Sequence, residues 1–272
     1  MSQPSAIFGQ LSAFDPMLWH SAAFAGRKEL VHAVTSIDLD MSLADAARGA
    51  ETRRGVCRML DLPFERLTVP EQVHGTGVAV VGPDGLGCGR DIHHPTVRGA
   101  DGLLTMEVDV PLLVLSADCA PIAVYDPLHR AIGVAHAGWR GIVGGVIAEL
   151  ITAMFKTFDC RPSDCVAMIG PCAGACCYEI GTDVSDQLPR PISIGLPGAN
   201  RGGCDAALQS RDGRQFLDLA AASATMLRAA GLRHDAIDVL DVCTICDTRF
   251  HSYRRQGRRA DRNALILALR RV

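Results

Sequence analysis

The chain has 272 residues, 27 basic and 30 acidic, for a formal net charge of −3, and 48% of its residues are apolar. That length suits one large domain whose core buries roughly three-quarters of the unfolded surface. The balance argues against a disordered tail or a coiled coil, and its dispersed arginines leave no electrostatic footprint for nucleic acid.

Residues 1 to 30 are weakly patterned and read as an edge element or a lead-in loop. The composition of 43 to 62 is helical, with Asp61-Leu62-Pro63 as a stop. Leu67 to Val81 reads as extended and ends at Gly82-Pro83-Asp84-Gly85, a turn signal, and Asp84 to Gly102 reads as a loop carrying His93 and His94. VPLLVL from Val110, APIAVY from Ala120 and AIGVAH from Ala131 are short apolar runs and predict buried strands. Ile142, Val146, Leu150, Ile151, Met154 and Phe155 recur at helical spacing, so a helix follows His136. VAMIG from Val166 predicts a further strand, Leu188 to Asp212 a loop, Phe216 to Ala230 a helix stopped by Gly231, and Ile237 to Val242 a strand. Ala264 to Leu269 reads as a strand or a helix. No repeat or linker interrupts the series, so the expectation is one α/β (α+β) domain over 1–272.

Eleven cysteines, an odd number, are too sparse for a disulfide scaffold. No basic residue precedes Arg27 to start a secretory signal, and no apolar run approaches the roughly 20 residues that span a bilayer. A cytoplasmic protein with reduced thiols is expected, with most thiols packed as small hydrophobes. It is expected to act as a monomer or weak homo-oligomer.

One constellation stands out. Asp126-Pro127 is a type I turn signature. If the turn is centred between Pro127 and Leu128, opposed residues sum to 255 and Cys119 lies across from His136, close enough to share a metal or a proton. A helix N-terminus behind His136 would hold its imidazole neutral and favour thiolate at Cys119. His74, in Gln-Val-His-Gly, is the natural third ligand. Two histidines and one cysteine, with a fourth position free, form a recognised catalytic zinc set, which polarises a substrate or a water.

The segments QVHG at 72–75, ADG at 100–102, ADCAPI at 117–122, HAGWRG at 136–141, GPCAGACCYEIG at 170–181 and CT…SYRR at 243–255 follow the order of the YfiH-type family. That family is also described as a laccase domain or multicopper polyphenol oxidoreductase, with members described as purine nucleoside phosphorylases having adenosine deaminase activity. The resemblance covers about 66 to 269. It implies mixed β-sheets with helices packed outside, and His74, Cys119 and His136 as metal ligands. The N-terminal 1–65 diverges, where the family's Asn–Arg pair becomes Thr52-Arg53, keeping Arg53; near the end of the chain its Thr-Gly-Arg becomes Ala260-Asp261-Arg262.

The chemistry so implied is phosphorolysis of inosine, adenosine or guanosine with phosphate as co-substrate, together with adenosine deamination. Arg140, at a helix start, is the expected phosphate contact. Asp118, or Glu71, is the expected proton carrier for deamination. Trp139 could stack on a purine, Arg254 and Arg255 could contact phosphate or ribose, and Arg53 and Arg262 complete the expected substrate site. Zinc is the expected metal, with copper as the alternative because the same ligands bind Cu(II) more tightly.

Multicopper oxidase chemistry fits poorly, since those enzymes use about ten histidines, mostly in His-x-His pairs. This chain has nine and no such pair. A mononuclear copper polyphenol oxidase stays open, as does a metal-free hydrolase or deamidase with Cys119 as nucleophile and His136 as base. A zinc or redox module on Cys172, Cys176, Cys177, Cys243 and Cys246 is disfavoured, because only one strict CxxC is present and it follows a strand. Core packing is the expectation for those thiols.

Overall fold

The computed structural model describes residues 17–43, 46–188, 192–193, 201–202 and 207–271. A short edge strand, β1 (Leu18–Trp19), pairs with β2 (Leu30–Thr35), and α1 (Ala46–Met59) follows within the expected helical stretch. The extended stretch over 67–81 becomes a strand only at its end, β3 (Val78–Val80), with single bridges at Thr68 and Pro70 before it. The loop up to β4 (Gly102–Thr105) holds no strand, as expected, and β5 (Leu112–Ser116), β6 (Ala120–Asp126) and β7 (Ala131–Ala137) fall on the three apolar runs.

The single helix expected behind His136 is two helices. α2 (Trp139–Gly144) and α3 (Val146–Phe158) meet at Gly145, whose φ of 91° breaks the helical path and is open to glycine at little cost. β8 (Val166–Ile169), β9 (Glu179–Ile180) and α4 (Thr182–Ser185) come next. The stretch expected as a loop contains β10 (Ile192–Ser193), β11 (Arg201–Gly202) and β12 (Leu208–Arg211), while its other residues lie partly outside the described ones. Phe216 belongs to a strand, β13 (Arg214–Leu217), rather than to a helix. The helix α5 (Leu219–Ala229) starts only after Asp218, whose carboxylate accepts the Ala221 N–H at 2.8 Å and caps it. β14 (Ile237–Val239), α6 (Tyr253–Gln256) and β15 (Asn263–Leu269) complete the chain, and β15 resolves the strand-or-helix alternative as a strand.

Two sheets form the body. One has the order β1-β2-β15-β5, the other β14-β8-β6-β7-β4-β3 with parallel pairs at both edges and antiparallel pairs between; a smaller sheet, β12-β13-β9, stands beside them. Strand alternation sets the layers. Ile122, Val124 and Ala135 share a cluster with Ile147, Leu150 and Ile151 of α3 and Leu227 of α5. Their neighbours Ala123, Tyr125, Ile132 and Val134 pack instead with Val114, Leu265 and Leu267 of the four-stranded sheet. The far side of that sheet, with Leu113, Leu115 and Ile266, packs against Val56 and Cys57 of α1. Helix, sheet, sheet and helix are therefore stacked in that order, the mixed α/β fold that was expected. Burial on both faces explains why β6 and β7 read as continuous apolar runs. Among the described residues, no helix is long and apolar enough to cross a membrane.

Pairing fixes what lies at the end of the six-stranded sheet. Ala120 opposes Ala137, Gly102 opposes Ala135, Val78 pairs with Gly102 and Ile122 opposes Ile169. The segments before β3, β4 and β6, and those after β7, β8 and β14, all emerge at that end. They carry His74, Asp101, Cys119 and the two cysteine-rich turns, and His136 is the penultimate residue of β7 at the same end.

Candidate metal centre

The β6–β7 hairpin corrects the expected register. Asp126 opposes Ala131 and Pro121 opposes His136, so opposed numbers sum to 257 rather than 255. The cause is Asp126, whose Oδ1 accepts the amides of Leu128 at 2.7 Å and His129 at 3.2 Å and so wraps a longer loop around the buried carboxylate. Cys119 is thus not directly across from His136. The shift still moves each pairing by a whole residue on both strands, which preserves the face, and Cys119 sits diagonally beside His136. The ligand atoms of His74, Cys119 and His136 all lie within 4.8 Å of one another.

A residue to which the sequence reading gave no role organises this trio. Asp101, fully buried, accepts the His74 amide at 3.0 Å, the Gly75 amide at 2.7 Å and His136 Nδ1 at 3.0 Å. The carboxylate therefore fixes the His136 ring by one nitrogen and leaves Nε2 for the centre, the usual arrangement behind a metal-bound histidine. It also holds the His74 loop, where Gln72 (φ 61°) and His74 (φ 60°) adopt left-handed backbone. Gln72 locks that loop from the other side through paired bonds with the Leu115 backbone at 2.7 and 2.8 Å. The two imidazole rings meet edge to face, 4.8 Å between centroids. Gly138 completes the enclosure: a Cβ there would stand 2.8 Å from Cys119 Sγ and 3.4 Å from His74 Cδ2.

Electrostatics binds the cysteine to its neighbours. Burial alone would raise the Cys119 thiol, but the charge and hydrogen bonds of His136 and His74 outweigh it and bring it down to about 6. Burial likewise disfavours imidazolium at His136, yet the Cys119 thiolate and Asp101 push it up to about 9. The helix end expected to keep His136 neutral is thus opposed by the Cys119 and Asp101 charges. α2 is only 6 residues long, and a full thiolate and carboxylate at contact outweigh its partial charge. A bound cation would take the place of that proton.

Over residues 21–270 the chain matches the family described as multi-copper polyphenol oxidoreductase laccase. The chain belongs to that family. It is the YfiH-type family to which the HAGWRG and ADC motifs point. The chain is 35% identical over 204 residues to "Purine nucleoside phosphorylase YlmD" of Geobacillus stearothermophilus, covering 75% of this chain and 72% of that protein. It is 29% identical over 219 residues to "Adenosine deaminase RL5" of an unknown prokaryotic organism, covering 78% and 79%. The crystal structure of YlmD from Geobacillus stearothermophilus is similar with a TM-score of 0.82 and 29% identity, covering 98% of each chain.

In this member of the laccase-like family, the other residues expected at the site fall into three groups. Asp118 is beside the trio: in left-handed backbone (φ 90°), it accepts the Thr244 hydroxyl at 2.7 Å on Oδ1 and the Arg254 amide at 2.6 Å on Oδ2. Trp139 and Arg140 follow His136 directly, with the exposed Arg140 guanidinium 4.4 Å over the Trp139 ring. Arg254 is exposed, stacks 5.0 Å over Tyr178, and reaches the Glu179 carbonyl at 3.3 Å. Tyr178 was not anticipated; burial first and the Cys119 charge second raise its hydroxyl.

The remaining residues are turned elsewhere. Arg53 is buried and donates to the carbonyls of Met41 at 3.0 Å, Ser42 at 2.6 Å and Arg90 at 3.1 Å. It shares a cavity of about 160 Å³ with Asp91 and His94, and none of His74, Cys119 and His136 lines it. His94 is held by Asp91 at 2.6 Å, and the exposed Glu71 accepts the Gly99 amide at 2.7 Å. Arg255 is spent on the carbonyls of Thr244, Ile245, Asp247 and Phe250, and Arg262 on those of Ala260 and Asp261. A solvent-open cleft of about 360 Å³ lined by Cys172, Ala175, Arg211, Asp218 and Cys243 also includes none of the ligands. The trio is reached from the surface, through the exposed His74.

Proposed function

We propose that the chain is a zinc-dependent purine nucleoside phosphorylase acting on inosine, adenosine and guanosine, with adenosine deamination as a second activity of the same centre. The observation that carries this reading is the convergence of His74, Cys119 and His136 within 4.8 Å, with Asp101 braced behind them. Two imidazoles and a thiolate suit zinc, which prefers nitrogen and sulfur donors and in catalytic sites keeps a position for water or substrate. Bound there, zinc supplies Lewis acidity that polarises a substrate. The names of the two relatives support the substrate class.

The chain's own groups divide the remaining work. Phosphorolysis needs an anion held beside the anomeric carbon, and Arg140 offers an exposed guanidinium for it next to the centre. Trp139 and Tyr178, each under an arginine, offer faces for a purine. Arg254 offers a second cation for phosphate or ribose. Asp118 holds the neighbouring turn through one accepted bond on each oxygen, and each oxygen keeps a further lone pair with which to carry a proton in deamination. Arg53 and Arg262 support the surrounding loops rather than touch substrate.

The thiolate–imidazolium pair of Cys119 and His136 favours a second reading, a metal-free cysteine hydrolase or deamidase. One experiment separates the two. Metal content and turnover of inosine and adenosine, with and without phosphate, are measured for the protein purified without added metal and for His74→Ala. The zinc enzyme shows bound zinc in the unloaded protein and phosphate-dependent release of base. In His74→Ala, metal affinity falls and turnover drops by roughly a hundredfold or more, as loss of a ligand requires. Full activity in His74→Ala, with a zinc content no lower than that of the parent protein, overturns the zinc reading in favour of the dyad.

A further inference from the structure

Four cysteines outside the trio converge. The sulfurs of Cys176, Cys177, Cys243 and Cys246, brought together from the turns after β8 and β14, all lie within 4.8 Å of one another. Cys176 and Cys246 Sγ are 3.7 Å apart. A tetrahedron with zinc–sulfur bonds of about 2.3 Å has an edge of about 3.8 Å, so this pair already stands at the separation that a tetrathiolate ion requires. The expectation that these thiols are core packing fails for them. Cys176 and Cys246 are exposed and Cys177 and Cys243 partly so, whereas Cys57, Cys160, Cys165 and Cys172 are buried.

The surroundings are built for anionic sulfur. Cys243-Thr-Ile-Cys246 forms a turn in which the amides of Gly174, Ile245 and Cys246 face Cys243 Sγ, the first at 3.4 Å. Such amide-to-sulfur bonds orient a thiolate and spread its charge. Arg255 grips the same turn through the carbonyls of Thr244 at 2.7 Å and Ile245 at 2.9 Å, and Arg211 grips the other through that of Ala175 at 2.5 Å. Two guanidinium groups thus stand behind four sulfurs. Cys172 and Cys243 are joined by a backbone bridge that sets the two turns side by side.

We propose that these four cysteines form a second metal site, a structural zinc tetrathiolate independent of the catalytic centre. Four thiols lose their protons to solvent as the ion binds, and soft thiolate donors with no open position select zinc over harder divalent ions. The site clamps the turn after β8 to the turn after β14. The sequence conceals it because only one half is a CxxC; the other half is the adjacent pair Cys176-Cys177.

Zinc, iron and copper are measured in the full-length protein purified without chelator, in His74→Ala and in Cys176→Ser/Cys246→Ser, and each protein is then reconstituted with Co(II). His74→Ala is expected to retain about one equivalent of zinc per chain and to give the intense visible bands of a cobalt tetrathiolate. Cys176→Ser/Cys246→Ser is expected to lose both. If that variant does not fold, alkylation mapping of the unaltered protein decides: the four cysteines are protected until a chelator is added. No protection before chelation, an unchanged zinc content and cobalt spectrum in the double variant, iron in place of zinc, or a Cys176–Cys246 disulfide in freshly purified protein would each overturn the proposal. Because His74→Ala removes only the catalytic ligand, failure of the catalytic reading leaves this result unaffected.

Discussion

The trio and the cysteine cluster stand at the same end of one sheet but are held differently. At the trio, a buried carboxylate binds two of the ligand segments, left-handed backbone sets a third residue in place, and a glycine makes room for the sulfur. Its geometry is imposed by the protein before any ion arrives. At the cluster, turns supply amides to one sulfur, and two of the four thiols lie exposed, held by each other at 3.7 Å and by weak contacts to backbone oxygens at 3.8 and 3.9 Å. There the ion itself must complete the order. A preorganised site can leave a coordination position free for chemistry; a site that closes only around its ion serves to join segments.

The sharpest break of this contrast is at Asp101. Asp101→Ala removes the partner of His136 and of two amides, and metal affinity at the trio should fall 10- to 100-fold, read by competition with a chromophoric chelator. Unchanged affinity would mean that the protein does not preorganise the centre. Asp118→Ala strands the Arg254 amide and the Thr244 hydroxyl and should cost about 1–3 kcal/mol in denaturant unfolding, since a buried hydroxyl and a part-buried amide lose their acceptor. Glycines give a finer test. Gly138→Ala sets a methyl 2.8 Å from Cys119 Sγ, an overpacking that should cost about 1–3 kcal/mol of binding or stability. Gly174→Ala places one only 3.4 Å from Cys243 Cβ, ordinary contact, and should change stability by less than about 0.5 kcal/mol. Equal responses at the two glycines would erase the distinction.

The strands, most of the helices flanking them and the convergence of His74, Cys119 and His136 are legible in the sequence because each rests on a local pattern: apolar runs buried on both faces, or a motif of a few adjacent residues. What stays hidden depends on distant partners. The hairpin register turns on Asp126 recruiting two amides of its own loop, which propensity alone does not reveal. Asp101 is visible as part of Ala-Asp-Gly, but its role requires knowing that β4 lies against β7. Arg53 resembles a substrate contact by its place in a motif, and only the fold shows its guanidinium closed on three carbonyls. Phe216 reads as helical because the apolar run continues into α5; Asp218, the true start signal, lies two residues later. The four cysteines are 66 or more residues apart between their two halves, so their meeting is a property of topology.

Asp118 touches both stories. Its carbonyl accepts the Ala173 amide at 2.8 Å, its side chain holds Thr244, inside the CxxC turn, and the next residue is Cys119. Binding free energies around a closed cycle are path-independent, so whatever factor an ion in the cysteine cluster adds to the affinity of the trio, an ion in the trio must add to the cluster. A titration of either site with the other filled and then empty would return the same ratio, and that ratio measures the coupling free energy to which Asp118 contributes.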